Sequence, residues 1–281
     1  MLATTRSQQR WFNWIIFLVL CLGVIIAVAP LLYMVSTAFK GSAFVQEYPP
    51  RLIPETLTLE NFQTAFNSRN FARALLNSAC VAVATSVVVT LLASTMAYSF
   101  ARFQFRGKRI LYAVLLMMLM IPGVVLLIPQ FILAKSLGLL NSLPGLVVVY
   151  SAGPLAFNTF LLRGFFESLP TELEESAVID GASPFTVFWR VLMPLAAPAI
   201  STVAIFSFLG AWDEYVLALN FLTDESLRTL PIAIANFRGQ HSTNWGLVFA
   251  GSLTAVVPTI LLFIFFQRYF IQGITTGAVR G

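Results

Sequence analysis

The chain of 281 residues carries 17 Lys and Arg against 12 Asp and Glu, a formal net charge of +5, yet only 10% of it is charged and 58% is hydrophobic. That balance, with a mean hydropathy of +0.83, excludes a soluble domain, in which about a quarter of residues are charged. Nucleic acid is excluded as a partner as well, because the basic residues stand singly around apolar stretches instead of clustering with aromatics. They are topology signals of a membrane protein, and no polar half is present to form a second domain, so residues 1–281 read as one transmembrane domain.

A charge at the centre of a bilayer costs roughly 2.5–3.5 kcal/mol even on the lenient insertion scale, so charge-free windows locate the spans. They lie between Arg10 and Lys40, Arg73 and Arg102, Arg109 and Lys135, Lys135 and Arg163, Arg190 and Asp213, and Arg238 and Arg268. Each exceeds the roughly 20 residues that a crossing helix needs. The predicted helices cover about 12–38, 74–101, 110–133, 143–162, 196–220 and 245–267, which gives an all-α membrane protein with six transmembrane helices and both termini on one face.

The first span imitates a signal peptide. Arg6 and Arg10 precede an apolar run, and "AVAP" ending at Pro30 offers an A-x-A cleavage pattern. Against cleavage, the apolar run continues through "LLYMVSTAF" and Pro30 would follow the cut, so the segment reads as a retained first helix. The next short connection, "RFQFRGKR" (102–109), has four basic residues and no acid, whereas "KSLGLLNS" (135–142) has one basic residue. By the positive-inside bias the first is cytoplasmic. The N-terminus, the segment 163–195 and the tail after Arg268 then lie in the cytoplasm, and 37–72 and 223–243 face outward. Pro122, Pro129, Pro144, Pro154 and Pro258 fall inside spans, where proline kinks are tolerated. Cys21 and Cys80 lie in apolar windows without CxxC spacing, which points to neither a disulfide nor a metal.

Five of the acids fall between Glu167 and Asp180. In "ESLPTELEESAVIDGASPFTVFWRVLMPLAAP" (167–198), Pro170 suits a first helical turn, Thr171 and Glu174 form a capping-box pattern, and early acids favour a helix N-terminus. Leu173 and Ala177 share a face. Gly181 ends this helix, and Ser183-Pro184 opens a second with Phe185, Phe188 and Leu192 at i, i+3 and i+7. The expectation is a cytoplasmic helix-turn-helix with an acidic rim.

In "GAWDEYVLALNF" (210–221), Trp212, Asp213, Glu214 and Asn220 stand toward the end of the fifth helix. Two readings stand side by side. Intramembrane acids default to function, and the Trp212 ring could stack on a bound solute as part of a pathway. Equally, a Trp-Asp-Glu at the interface serves as an anchor whose acids face water or a partner protein. His241, in polar "GQHSTNW", reads as a surface or docking residue, since no nucleophile motif accompanies it.

The residues Glu175-Ser176-Ala177, Asp180-Gly181-Ala182 and Val191, Met193-Pro194 follow the spacing of the EAA loop, Glu-Ala-Ala, two residues, Asp-Gly-Ala, eight residues, Ile-x-Leu-Pro. The stretch thus resembles the loop of ABC-importer permeases, with Ser, Val and Met as conservative departures. The segments "LRTLPIAIANFRGQHSTNWG" (227–246) and "QRYFIQGITTGAVRG" (267–281) are similar to the carbohydrate branch, the MalG-like second permeases of maltose, trehalose and glycerol-phosphate type importers. The resemblance implies the type I importer permease fold, with a coupling helix between helices 4 and 5 that docks on a cytoplasmic ATPase. It implies coupling roles for Glu175, Ala177, Asp180, Gly181, Ala182 and Pro194. Glu175 would pair with a basic group of the ATPase and Gly181 would make the bend, while Asp180 would meet a partner or bond local amides. It also implies that the tail with Gln272, Gly273 and Gly277 enters the ATPase interface, its glycines making it turn-prone.

The implied partners are a second permease, two ATPase subunits that hold ATP and Mg, and a periplasmic or lipid-anchored sugar-binding protein, with this chain in a bacterial inner membrane. No cofactor is expected on this chain, which has no G-x-x-x-x-G-K-[ST] loop; its single Gly107-Lys108 pair is followed by Arg109. A membrane enzyme using Asp213 and Glu214 is disfavoured because adjacent helical residues point about 100° apart. An ion-coupled secondary transporter should show deep charges or internal repeats, and neither is seen. An importer permease for a non-sugar solute is the alternative that stays open.

Overall fold

The structure, a computed structural model, describes residues 6–41, 51, 53, 54, 56–68, 70–239 and 243–278, with side chains between 11 and 266. In chain order the α-helices are α1 (Arg6–Ala38), α2 (Glu60–Asn67), α3 (Phe71–Arg102), α4 (Lys108–Met117), α5 (Leu127–Ser136), α6 (Leu143–Ser168), α7 (Glu172–Ile179), α8 (Pro184–Val187), α9 (Met193–Leu195), α10 (Ala197–Trp212), α11 (Val216–Phe221), α12 (Leu230–Ala235) and α13 (Trp245–Ala278). Among the described residues there is no strand, only an isolated bridge between Arg238 and Thr243. Four helices are long and apolar enough to cross a membrane, and two bent helix pairs raise the number to six if each pair is one span.

Both bends have a chemical cause. The predicted helix 110–133 is broken, not continuous: Pro122 lacks an N–H and pushes Ile121 to φ −90°, ψ 117°, so the two halves meet at 101°. The predicted helix 196–220 is preceded by a second bend, of 81°, at Ala196. There Pro198 cannot donate to the carbonyl of Pro194, which leaves the ladder open between α9 and α10. That helix also stops at Trp212 and resumes at Val216. The helix predicted over 143–162 continues to Ser168, six residues into the segment expected to be loop, and the last helix runs on to Ala278. Pro154 and Pro258 are accommodated within helices, and Pro144 sits in the first turn of α6.

Contacts group the chain into two compact units, residues 1–69 with 234–256, and 70–233 with 257–281. In the first unit, Asn61 Nδ2 ties the end of α1 to α2 by donating to the carbonyls of Ala38 (3.0 Å) and Lys40 (2.6 Å). The start of α13 lies against the same side chain: a Cβ added at Gly246 would come within 2.5 Å of Asn61 Oδ1. Trp245 stacks on Phe249, which meets the edge of Tyr33.

In the second unit α3, α6 and α10 form the core. Small buried residues on α3, including Ala82, Ala93 and Ala97, allow close backbone approach, the packing mode favoured where lipid removes the hydrophobic drive. Ala93, Ala97 and Tyr98 continue into a cluster with Leu162 and Phe166 of α6 and with Val187, Phe188 and Leu192. The segment 222–230 is pinned by side chains acting on its backbone. Asn77 Nδ2 donates to the carbonyls of Ser226 and Arg228, both at 3.0 Å, Leu230 N donates to Ser78 Oγ, and Asn141 Oδ1 accepts from the amides of Thr223 and Asp224.

Candidate functional site

The acidic segment folds as a helix, a tight turn and a second helical stretch. Helix α7 closes with the amide of Ala182 donating to Ala177 O (2.9 Å) and that of Gly181 to Val178 O (3.0 Å). This is a Schellman ending, which needs a left-handed residue after the cap, and Gly181 supplies it at φ +84°. Asp180 is the C-cap; its carboxylate makes no bond to the local amides. That task falls to Ser183, whose Oγ accepts from Thr186 N and caps α8, with Pro184 in the first turn. A π-helical stretch, Phe188–Leu192, leads to Pro194 and the 81° bend.

The N-terminal cap differs from the sequence expectation. Helix α7 begins at Glu172 after Thr171, leaving Pro170 outside it, and Thr171 makes no side-chain cap bond. Glu174 does not reach back to close a capping box because a stronger partner takes its carboxylate. Arg102, the last residue of α3, donates Nε to Glu174 Oε1 and Nη2 to Leu169 O (2.8 Å). Tyr98 Oη donates to Glu174 Oε2 at 3.4 Å. The two charged side chains are only 12% and 16% exposed. Tyr98 also stacks on Phe188 at 5.1 Å, so α3 holds both arms of the helix-turn-helix.

The outer side of this element is uncommitted. Glu175 is exposed, with no hydrogen-bond or ion-pair partner among the described residues. Near it in sequence, Val178, Ile179 (85% exposed) and Phe185 (73% exposed) are left facing out. Ala177 and Ala182 pack against the core cluster from beneath. Of the residues singled out in the sequence, Glu175, Ala177, Asp180, Gly181 and Ala182 thus fall on one turn of structure, and Pro194 marks its far end. Arg102, Tyr98 and Glu174 were missed. The only available signal was Arg102 as the last charge before a loop opposite an acidic run.

A cavity of about 490 Å³ opens between α5, α6 and α10. Val149, Tyr150, Gly153 and Pro154 of α6, Phe206, Ser207 and Gly210 of α10, and Gln130 of α5 line it, with Glu214 at the break between α10 and α11. Apolar walls bearing a few convergent polar groups, at this volume, are the usual composition of a small-molecule site. Glu214 accepts three hydrogen bonds, from Tyr150 Oη (2.6 Å), Leu217 N (2.7 Å) and Ala218 N (3.0 Å). It therefore caps α11 while joining it to α6. Trp212 does not line this cavity: it is 2% exposed and stacked on Phe208, 5.7 Å away, because residue 212 faces the packed side of α10. Asp213 is exposed at the C-cap of α10, and Asn220 donates to Val216 O (2.6 Å) in α11 outside the cavity lining.

His241 lies outside the described residues. Gln272, Gly273 and Gly277 lie in the helical backbone of α13, where the glycine spacing had suggested turns.

The profile of the family described as "Binding-protein-dependent transport system inner membrane component" matches residues 89–276. A trehalose transport system permease protein of Mycobacterium tuberculosis is 36% identical over 98% of this chain and 100% of its own. A diacetylchitobiose uptake system permease protein of Streptomyces coelicolor is 34% identical over 98% of this chain and 91% of its own. Among solved structures, a chain of a bacterial ABC transporter importing the acidic polysaccharide alginate superposes with a TM-score of 0.85 at 23% identity, covering 96% of this chain and 100% of that one. The shared fold, the loop with its Schellman glycine and full-length relatives above 30% identity place this chain in the family of binding-protein-dependent transport system inner membrane components.

Proposed function

We propose that this chain is the permease subunit of an ATP-driven ABC importer that moves a sugar delivered by an extracytoplasmic binding protein across the bacterial cytoplasmic membrane. The cargo class is a mono-, di- or oligosaccharide, or a related polyol or glycerol phosphate. The names of the trehalose and diacetylchitobiose relatives support it. The chain performs no catalysis in this reading. Two partner ATPase subunits hold ATP and Mg, and a second, different permease completes the pathway. Both termini and the loop 102–109 lie on the cytoplasmic side, as the four basic residues of that loop favour.

The observation that carries the reading is the two-faced helix α7. Its inner carboxylate, Glu174, is tied to α3 through Arg102, while its outer carboxylate, Glu175, and the exposed Ile179 and Phe185 remain free to meet a partner. A closing ATPase would push on the outer face, and the Arg102 tie would convey the push to α3 as rigid-body motion. The cavity beside Glu214 then offers sugar-compatible surfaces, the rings of Tyr150 and Phe206 and the polar groups of Gln130 and Ser207.

The test is sugar uptake by vesicles containing the reconstituted transporter with Glu175→Ala. Removing an exposed, unpaired carboxylate should leave stability within about 0.5 kcal/mol while uptake falls and the ATPase detaches or hydrolyses without transport. Unchanged uptake and ATPase binding would sink the coupling reading. Stimulation only by a binding protein loaded with a non-sugar solute would replace the cargo class and leave the permease reading standing.

A further inference from the structure

A second pocket, of about 610 Å³, is built where the loop after α3 meets α4 and the later part of α6; Gln104, Phe105, Lys108, Arg109, Tyr112 and Arg163 are among its lining residues. Its chemistry is one-sided. Three cations line it, and exposed Arg106 adjoins them in sequence. Arg163 pairs with Glu167 at 2.7 Å, and no acid is among the described lining residues. Arg163 is further held over the Tyr112 ring, its Cζ 3.9 Å from the centroid, which keeps its charge in the wall. Lys108 Nζ spends one of its three donors on Phe103 O. Arg106 and Arg109 have no side-chain partner among the described residues. Gly107, at φ +82°, turns the chain into the ten-residue helix α4, whose first residues Lys108, Arg109 and Ile110 line the same pocket.

Two features select the occupant. The excess positive charge calls for a phosphate-bearing anion. The pocket also stands where α3 ends and α4 begins, and α4 continues from it as an exposed apolar ridge of Ile110, Leu111, Val114 and Met117. A soluble anion would use the cations and have no use for the ridge, whereas a phospholipid uses both. We propose that this pocket is a binding site for the phosphate headgroup of an acidic phospholipid, whose acyl chains lie along Ile110, Leu111 and Val114. Basic pockets between membrane helices bind such headgroups, and each Lys or Arg contributes about as much as a fivefold change in affinity. The site is independent of the cargo and of the coupling loop, and requires only that the chain spans a bilayer.

The experiment uses the full chain in phosphatidylcholine bilayers doped with a phosphatidylglycerol that carries a photoactivatable acyl chain, the labelled peptides being mapped by mass spectrometry. Label is expected on the peptide spanning Ile110–Met117 and should be competed by unlabelled phosphatidylglycerol but not by inorganic phosphate. Arg109→Gln should weaken competition about fivefold and the double change Lys108→Gln, Arg109→Gln about twenty-five-fold, while Arg109→Lys, which keeps the charge, should restore most of it. Equal labelling from photoactivatable phosphatidylcholine, displacement by inorganic phosphate, or labelling indifferent to the double change would each overturn the proposal. So would occlusion of the pocket by a protein neighbour in the assembled transporter, read as crosslinks from position 109 to another subunit.

Discussion

Arg102 and Glu174 are 72 residues apart in sequence and form an ion pair that fastens α7 to the end of α3. Tyr98, one turn earlier on α3, donates to the same carboxylate and packs on Phe188 beyond the turn. One end of α3, a helix long and apolar enough to cross a membrane, thus holds both arms of the acidic helix-turn-helix.

Glu174→Ala should therefore act differently from Glu175→Ala. It strips a largely buried guanidinium of its counter-charge, with an expected cost of about 1–3 kcal/mol. Thermal unfolding of the purified permease should report the loss, and uptake should fall while the ATPase still binds. A Glu174 variant with wild-type stability and coupled uptake would show that the pair transmits nothing.

Gly181 is open to space, with nothing among the described residues beyond its chain neighbours within 4 Å of an added Cβ, but its φ is +84°. Gly181→Ala should cost about 1–2 kcal/mol, all of it backbone strain, and Gly181→Asn less, because Asn tolerates the left-handed region. The ordering Gly, Asn, Ala in thermal stability distinguishes a conformational role from a packing role, for which the smaller Ala would be preferred to Asn.

Tyr150→Phe removes a donor from Glu214 and keeps the ring. A hydrogen bond to a charged group contributes about 1.5–3 kcal/mol, so α11 should loosen, detectable as faster amide exchange at Leu217 and Ala218. If the cavity receives sugar, the half-saturating concentration of loaded binding protein should rise in the same variant. Unchanged exchange would mean that Glu214 caps α11 without help from α6.

The segment 222–230 carries a pH dependence of definite sign. The Ser226 amide, donating to Asp224 Oδ1 at 2.8 Å, holds the Asp224 carboxyl below the usual carboxylate range. Because the folded-state pKa lies below the unfolded one, the stabilisation is present above the unfolded value and is lost as pH falls through the folded one. The protection of the Ser226 amide, taken as its exchange rate relative to the intrinsic rate at each pH, should fall on acidification through that window in the wild type and stay constant in Asp224→Asn.

What the sequence determined by itself was local. Charge-free windows located the long apolar helices because a charge in lipid is costly residue by residue, wherever the rest of the chain lies. The turn at Gly181 and the cap at Ser183 were legible for the same reason, since both are settled within five residues. Tertiary structure decided the remainder. Thr171 and Glu174 have the pattern of a capping box, but Arg102 offers the carboxylate a better partner than a backbone amide. Trp212 and Glu214 look alike as pathway residues in sequence. Packing buries the first on Phe208 and turns the second into a cavity beside Tyr150, because the helix breaks between them. Spacing along the chain fixes which groups can interact within a turn, whereas the direction of a side chain at a helix break depends on neighbours tens of residues away.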